Sequence, residues 1–410
     1  MGPIALFDKS FLQSLSLDES VWFDHFFLTN ICPLFYIETL ADLDKTGLIG
    51  RTAAEEVQII ANKFPETSSG PCEQHVDLCI RNLMGFDIPM IGQIPLAHAR
   101  LVMLDGKLNT YSEESPVAQA FSRWYQGDYL EIEQLFAGEW RQSITDLDLN
   151  RRGSLYKSLG IDTKICHTLQ EAKELAICVL SSNIEPSRFM TYTLTVLGIP
   201  DSYHPKIFSR WVSLGSPSIQ EHAPYVAFVV SVELFFEIAL DNGLISSRRP
   251  SNWIDIAYLF YLPFCMVFIS SDSLHRNTVP LFLRDNQEFV WGPDLKASLK
   301  EIDIFYSLYP DSEKDKGIHA FAPSPPKSVN TLVSDLWDRH LHTWRERKET
   351  SSDEERKIPT DTISKFEQIQ QAQPFNPDPK KFKTQDIESA AIKRKVRKKK
   401  GSWYQIPKDI

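Results

Sequence analysis

The sequence predicts an α/β protein with a parallel sheet, interrupted by a long and mostly helical insertion. Short apolar segments alternate with helical patterns in residues 1–44, and this alternation is typical of a parallel sheet. The alternation is lost in residues 45–222 and returns in residues 223–305. We therefore expect a discontinuous core of residues 1–44 and 223–305, an insertion of residues 45–222, and a C-terminal extension of residues 306–410.

The N-terminal block contains two apolar runs, each followed by a helical pattern. The first run ends at Asp8, as expected of a short buried strand, and the second helix carries Glu38. The elements are expected at residues 4–7 (strand), 10–28 (helix), 31–35 (strand) and 36–44 (helix).

The second core block begins with a helix that is apolar on most faces and ends at Gly243, so it should be buried. A later helix carries Asp255, and a third apolar strand is followed by Ser271 and Asp272. The elements are expected at residues 223–242 (helix), 253–261 (helix), 266–270 (strand), 274–283 (helix) and 288–291 (strand).

The insertion and the extension give weaker patterns. Prolines and glycines break the insertion into mixed helices, with residues 117–136 and 168–180 as plausible examples. Beyond Pro310 the chain is polar and rich in proline, and residues 331–349 predict a charged amphipathic helix. From Thr350 onward, the composition predicts little independent structure.

Composition is that of an ordinary folded protein. The chain has 410 residues, of which 42% are hydrophobic and 24% charged, so it can bury a full core without disulfides. The six cysteines form no CxxC pair, the N-terminus lacks the pattern of a signal peptide, and the longest apolar run includes Glu233 and Glu237. These features favour a cytoplasmic protein with no membrane partner, while a protein partner or a homo-oligomer remains open.

Charge is distributed unevenly along the chain. The formal net charge is −10, yet residues 380–410 contain eleven Lys or Arg against three acidic residues. An acidic body with a basic end indicates contact with nucleic acid, or a solubilising end. The aromatic pair Trp403 and Tyr404 could stack on a base or dock on the body.

Four acidic residues occupy positions from which they could meet. Asp8 and Asp272 follow apolar strands, and ligands of parallel sheets bind outside the carboxyl ends of the strands. Glu38 lies on the helix after the second strand, and Asp255 on the helix before the third. Mg²⁺ and Mn²⁺ prefer such oxygen ligands, and two ions about 4 Å apart serve phosphodiester cleavage.

These segments resemble the PIN-like nuclease family. Residues 6–11 resemble its opening strand, residues 32–38 its second strand and acidic helix, and residues 255–272 its closing acid–helix–strand–acid segment. The resemblance covers residues 4–44 and 252–291, and departs from the family in the long insertion between them. It implies a three-layer α/β/α core and metal-dependent cleavage of RNA, less often DNA. The implied catalytic residues and Mg²⁺ or Mn²⁺ ligands are Asp8, Glu38, Asp255 and Asp272.

Other functions remain open. A degenerate nuclease fold could serve as an inactive nucleic-acid-binding or assembly module, although buried like charges without a cation are costly. A haloacid-dehalogenase-like phosphatase also begins with an aspartate after its first strand, but Ser10 replaces the second aspartate of that class.

Each site residue also has a plainer interpretation. Asp8 and Asp272 could simply bond loop amides, Glu38 could share a solvated helix face with Asp42, and Asn252 could take over the capping role of Asp255. The remaining polar groups considered are Ser270 and Ser271 as loop-orienting residues, His275 and Arg276 as phosphate contacts or helix surface, and Cys72, His75 and Cys79 as an incomplete zinc pattern.

Overall fold

The computed structural model describes residues 2–45, 47, 50–161, 165–182, 184–346, 360–375 and 387–409. The strands of this part are β1 (Ile4–Phe7), β2 (Leu28–Ile31), β3 (Ser69–Pro71), β4 (Arg100–Leu104), β5 (Lys107–Ser112), β6 (Val267–Ser270), β7 (Glu288–Trp291), β8 (Ile387–Ile392), β9 (Lys399–Lys400) and β10 (Trp403–Tyr404). They form a five-stranded sheet in the order β3-β2-β1-β6-β7, a three-stranded sheet in the order β4-β5-β8, and a β9–β10 pair.

Helices account for most of the other regular structure. The α-helices are α1 (Lys9–Ser14), α2 (Leu17–Phe26), α3 (Pro33–Ala41), α4 (Ala53–Lys63), α5 (His75–Leu83), α6 (Pro116–Tyr125), α7 (Glu131–Thr145), α8 (Leu149–Arg152), α9 (Leu169–Leu180), α10 (Pro186–Val196), α11 (His204–Ser213), α12 (Ile219–His222), α13 (Pro224–Asp241), α14 (Asn252–Ala257), α15 (Ser273–Thr278), α16 (Gly292–Ser307), α17 (Asp311–Lys314), α18 (Ile318–Phe321), α19 (Leu332–His340) and α20 (Thr360–Gln371). Short 3₁₀ helices occur at Asp42–Asp44, Leu155–Leu159, Asp201–Tyr203, Tyr258–Phe264, Val279–Leu281 and Trp344–Glu346.

The five-stranded sheet is parallel throughout, and helices cover both of its faces. Successive strand residues point to opposite faces. Leu6 of β1 therefore joins a cluster with residues of α5, α9 and α13, whereas Phe7 joins a cluster with residues of α2, α4 and α16. The predicted α/β class is confirmed, and this arrangement is consistent with three α/β/α layers.

The N-terminal elements follow the predicted order, with two changes. The helix expected over residues 10–28 is two helices, because Ser16 and Glu19 form a reciprocal capping box that starts α2. The second strand covers Leu28–Ile31 rather than residues 31–35, because Pro33 is the first residue of α3.

The second core block agrees more closely with the sequence. Strand β7 has its predicted bounds, β6 begins one residue later than predicted, and α13 is the expected buried helix. The helix expected over residues 253–261 ends at Ala257 and continues as a 3₁₀ segment that contains Pro263.

The insertion contributes strands as well as helices. Strand β3 extends the core sheet beyond β2. Strands β4 and β5 form an antiparallel hairpin, in which Asp105 and Gly106 both have positive φ, as a tight two-residue turn requires. These strands were not predicted from the sequence.

The prediction of little independent structure after Thr350 is wrong for residues 360–375 and 387–409. Strand β8 pairs with β5 of the insertion, and β9 pairs with β10. Trp403 is 3% exposed and packs against Trp22 with ring centroids 4.8 Å apart. The C-terminal residues therefore dock on the core, as one of the two alternatives for Trp403 anticipated. Lys380, Lys381 and Lys383 lie outside the described residues.

No helix in the described part of the chain combines the length and the hydropathy needed to span a lipid bilayer.

Candidate functional site

The candidate site lies where the chain order in the sheet reverses. From β1 the chain continues to β2 on one side, whereas β6 pairs with the opposite edge of β1 and is followed outward by β7. Such a reversal opens a crevice at the carboxyl ends of the two central strands. Asp8 follows β1 directly, and its backbone N–H donates to Ile269 O of β6 at 3.2 Å.

Asp8 is held firmly at the base of this crevice. Its side chain caps α1 by accepting from the Phe11 N–H at 2.9 Å, and Oδ2 accepts from the hydroxyls of Ser10 at 2.6 Å and Ser270 at 2.8 Å. Burial alone would raise the pKa of Asp8, but bonds and charge from His275, with bonds from Ser10 and Phe11, hold it below its ordinary value. Asp8 is therefore a buried carboxylate anion.

His275 is a fully buried cation beside Asp8. Its Nε2 lies 2.7 Å from the carbonyl oxygen of Asp255, which can only accept, so Nε2 donates. Its Nδ1 lies 2.8 Å from Ser270 Oγ, whose single proton already points to Asp8, so Nδ1 donates as well. Burial acts to lower the pKa of His275, but the Asp8 and Asp255 carboxylates outweigh it and raise the value to about 9. Two donated bonds and this pKa both indicate an imidazolium.

Glu38 reaches the crevice from α3, beside a second internal cation. Its Oε2 accepts from the Tyr258 hydroxyl at 2.5 Å. Lys9 donates to the Glu38 backbone carbonyl at 3.4 Å and to Asp42 Oδ2 at 2.8 Å. Burial raises the pKa of Glu38 against the opposing charge of Lys9. Despite burial, the Glu38 and Asp42 charges raise the pKa of Lys9, so this lysine stays charged.

Asp255 and Asp272 complete the acidic group. Asp272 caps α15 by accepting from the Leu274 N–H at 2.6 Å. The simpler interpretation, in which this carboxylate bonds backbone amides, therefore holds whether or not Asp272 also binds a metal. Burial raises the pKa of Asp255 to about 7; the His275 charge opposes this shift, and the charges of Glu38, Asp272 and Asp8 add to it. Asp8 and Asp272 follow the adjacent parallel strands β1 and β6, His275 lies between Asp8 and the Asp255 carbonyl, and Glu38 is bonded by Tyr258, so the four acids lie at one end of the sheet.

The crevice is not a preformed metal cage. Among the described residues, no three His, Cys, Asp or Glu side chains are placed close enough to hold a metal ion together. We name this group of Asp8, Glu38, Asp255 and Asp272, with the cations His275 and Lys9, the acidic crevice.

The sequence predicts the four acids of the site but not their cations. It predicts His275 and Arg276 only as phosphate contacts or as helix surface. His275 is instead internal, whereas Arg276 is exposed and lies over the Trp291 ring at 4.9 Å. The position of His275 one helical turn after a strand-end aspartate was the available signal, because that spacing returns the ring to the strand.

The residues of the incomplete zinc pattern, Cys72, His75 and Cys79, lie in a packed part of the insertion. Cys72 and Cys79 are buried, and burial lowers the pKa of His75 to about 4. The His75 ring packs on Phe260 with centroids 4.9 Å apart. These contacts give the three residues structural roles.

Comparison of the chain with protein-family models, with curated proteins and with solved structures finds no match. The assignment of function therefore depends on the chemistry of the acidic crevice itself.

Proposed function

We propose that the protein is a metal-dependent nuclease that hydrolyses phosphodiester bonds, in RNA rather than DNA, at the acidic crevice. The observation that carries this proposal is the meeting of Asp8 and Asp272 at the carboxyl ends of two adjacent parallel strands, with Glu38 and Asp255 on the flanking helices. Placing four carboxylates together at such a reversal point costs folding free energy, unless a cation or a polar ligand binds them.

The donor chemistry of the crevice fits Mg²⁺ or Mn²⁺. Carboxylate oxygens are the ligands these ions prefer, and Asp8, Glu38, Asp255 and Asp272 would hold them. Among the described residues, no three of these side chains lie close enough to hold an ion together, so ion binding would require some of the carboxylates to move closer to one another. When bound, the ions would activate a water molecule and stabilise charge developing on the phosphate.

The protein's own residues prepare the crevice for this role. Ser270 and His275 fix Asp8 in one orientation, so the carboxylate needs no reorganisation when a ligand arrives. Tyr258 fixes Glu38 from the other side. Lys9, next to Asp8 and Glu38, limits the repulsion between the carboxylates.

A second candidate function is an inactive nucleic-acid-binding module, and one observation favours it. Buried like charges are costly when no cation accompanies them, and this cost counts against an inactive module. His275 and Lys9 are internal cations that already offset part of the charge. Retention of four acids therefore does not by itself require a metal.

A cleavage assay separates the two functions. End-labelled single-stranded RNA, structured RNA and single-stranded DNA are incubated with the full chain in Mg²⁺, in Mn²⁺ and in EDTA. We expect metal-dependent cleavage that is strongest on RNA, with a loss of roughly a hundredfold in Asp8→Asn and Asp272→Asn. The matched control is Asp294→Asn, an exposed aspartate in the first turn of α16.

The outcomes are distinct. Cleavage that survives both site substitutions, or that persists in EDTA, contradicts the proposed site. Metal-independent binding of RNA without any cleavage supports the inactive module instead.

A further inference from the structure

The basic residues near the C-terminus divide into two sets once the segment is docked. We call residues 392–400 the basic segment. Arg394 donates to Ser69 O at 2.7 Å and to Thr67 O at 3.1 Å. Arg397 bonds Glu66 and Asn62, and the Lys400 ammonium, 2% exposed, donates to Phe64 O at 2.9 Å. These three cations fasten the segment to α4 and β3.

The second set faces solvent. Lys393, Lys395, Lys398 and Lys399 are exposed. Lys399 lies over the Tyr404 ring at 5.0 Å, and within the described residues none of the four has a carboxylate partner. Because the inward cations hold the backbone in place, the outward lysines form a fixed positive ridge rather than a solvated tail.

A cleft opens beneath this ridge, at the β3 edge of the core sheet. Its volume is about 210 Å³, and it lies between α4, β3, α6 and the basic segment. The floor is apolar and is made by Ile31, Phe64 and Phe121. Tyr125 forms one wall, with the Arg397 guanidinium 4.3 Å from the centre of its ring.

The rim of the cleft is polar and mostly basic. Lys393 and Lys395 stand on one side, and Ser122 of α6 and Gln126, the residue after α6, stand on the other. Glu114 also lines the cleft, so its carboxylate would favour a ligand that offers a hydrogen-bond donor. An apolar floor with a few convergent polar groups is the usual form of a small-ligand site.

The ligand that fits these features is a flat aromatic ring attached to negative charge. The cleft is smaller than the roughly 300 to 1,000 Å³ of sites for drug-sized molecules, so it suits a single ring system. Unpaired bases in single strands are recognised by stacking on aromatic and guanidinium planes, while lysines take the neighbouring phosphates. The edge strand β3 lies two strands from β1, roughly 10 Å away, so one strand of nucleic acid could reach both sites.

We propose that this cleft receives one unpaired nucleobase of a single-stranded nucleic acid, with the flanking phosphates on Lys393 and Lys395. The inference rests on the proposed function in one respect, the identification of the ligand as nucleic acid. It does not require that the acidic crevice cleaves that nucleic acid.

Binding in EDTA tests the cleft without cleavage. A fluorescent ten-nucleotide single strand is titrated with the full chain, and an abasic phosphodiester of equal length is titrated in parallel. Ser122→Trp fills the cleft from an exposed position of α6, and Gln119→Trp places the same ring on the same helix outside the cleft. We expect Ser122→Trp to weaken binding of the single strand about tenfold and to leave the abasic chain unaffected.

Salt dependence tests the ridge. The double variant Lys393→Ala with Lys395→Ala should reduce the slope of log affinity against log salt by roughly 1.4, or about 0.7 for each phosphate contact. The matched control removes two exposed lysines from α11 and α16, Lys206 and Lys300, and should keep the slope. Ser122→Trp should keep the slope as well, because it removes no charge.

Failure of this inference is separable from failure of the proposed function. Equal affinities for Ser122→Trp and Gln119→Trp, or equal binding of the abasic chain and the single strand, overturn the base-binding cleft even if RNA is cleaved. Base-dependent binding that Ser122→Trp removes supports the cleft even if the acidic crevice cleaves nothing.

Discussion

At the residue scale, one hydroxyl group connects the parts of the acidic crevice. Ser270 Oγ donates to Asp8 and accepts from His275 and from the Asp272 backbone N–H at 2.9 Å. We expect Ser270→Ala to lower the free energy of unfolding by about 2 to 3 kcal/mol, because it leaves buried charged groups with fewer partners. Urea unfolding in metal-free buffer measures this loss.

The adjacent serine is the control. Ser271 Oγ is buried and has no hydrogen-bond partner among the described residues, so Ser271→Ala should change stability by about 0.5 kcal/mol or less. Equal effects of the two substitutions would show that the hydroxyl network does not stabilise the site.

Glu237, a buried glutamate in α13 and outside the acidic crevice, should make the stability of the fold depend on pH. Burial, with the charge of Glu233, raises the pKa of Glu237 to about 8, although Tyr192 donates to it at 2.9 Å. Between pH 4.5 and 8 the folded chain therefore holds a proton that the unfolded chain has released, so stability falls as the pH rises through this window. The loss is on the order of 5 kcal/mol, at about 1.4 kcal/mol per pKa unit.

Glu237→Gln tests this effect, since an amide cannot ionise. At pH 8.5 the variant should unfold at a higher urea concentration than the wild type. At pH 5 the two unfolding midpoints should be equal. Glu301→Gln, an exposed site on α16, should follow the wild-type profile. Parallel profiles for wild type and Glu237→Gln would mean that Glu237 does not carry the proton.

How far the site could be predicted depends on whether a residue's role is local. Asp8 and Asp272 are found from sequence because each follows an apolar strand and caps the next helix. The charge of His275 depends on Asp8 and on the Asp255 carbonyl, which lie 267 and 20 positions away in the chain. No local pattern encodes that arrangement.

At the element scale, strands with continuous apolar sequence are predicted and short polar ones are not. Strands β1 and β6 are four residues long, fully buried, and visible in the sequence. Strand β3 is Ser-Gly-Pro and gains its pairing only from β2. Strand β8 likewise depends on β5, which precedes it by more than 270 residues. Propensity cannot reveal such elements, because tertiary pairing creates them.

The C-terminal β9–β10 pair supplies the element-scale prediction. The Trp403 indole N–H donates to Asp303 Oδ1 at 2.7 Å, and Trp22 donates to the same atom at 2.9 Å. Trp403→Ala should cost about 3 to 5 kcal/mol, because a large buried ring is lost and a cavity remains. Tyr404→Ala, at a half-buried neighbour, should cost clearly less. A Trp403→Ala midpoint in urea equal to that of the wild type would contradict the docked arrangement.

At the scale of the whole molecule, charge is organised in two places. Four acids gather at the reversal point of the sheet, and four outward lysines lie on the basic segment, where Lys393 and Lys395 line the cleft at the β3 edge. Neither feature follows from the net charge of −10. A substrate that is itself a polyanion would be held by the ridge and repelled by the crevice, unless cations occupy the crevice.

That conflict gives the last prediction, which concerns metal and overall stability. A metal ion that binds only the folded chain stabilises it by about 2.7 kcal/mol at a hundred times its Kd, so saturating Mn²⁺ or Mg²⁺ should raise the Tm by a few degrees. The rise should shrink in Asp8→Asn and Asp272→Asn, which remove a ligand, and should persist in Asp294→Asn. Differential scanning calorimetry with and without EDTA measures it. If the Tm is the same in EDTA and in millimolar metal, His275 and Lys9 neutralise the crevice sufficiently, and the inactive module becomes the better account of the four acids.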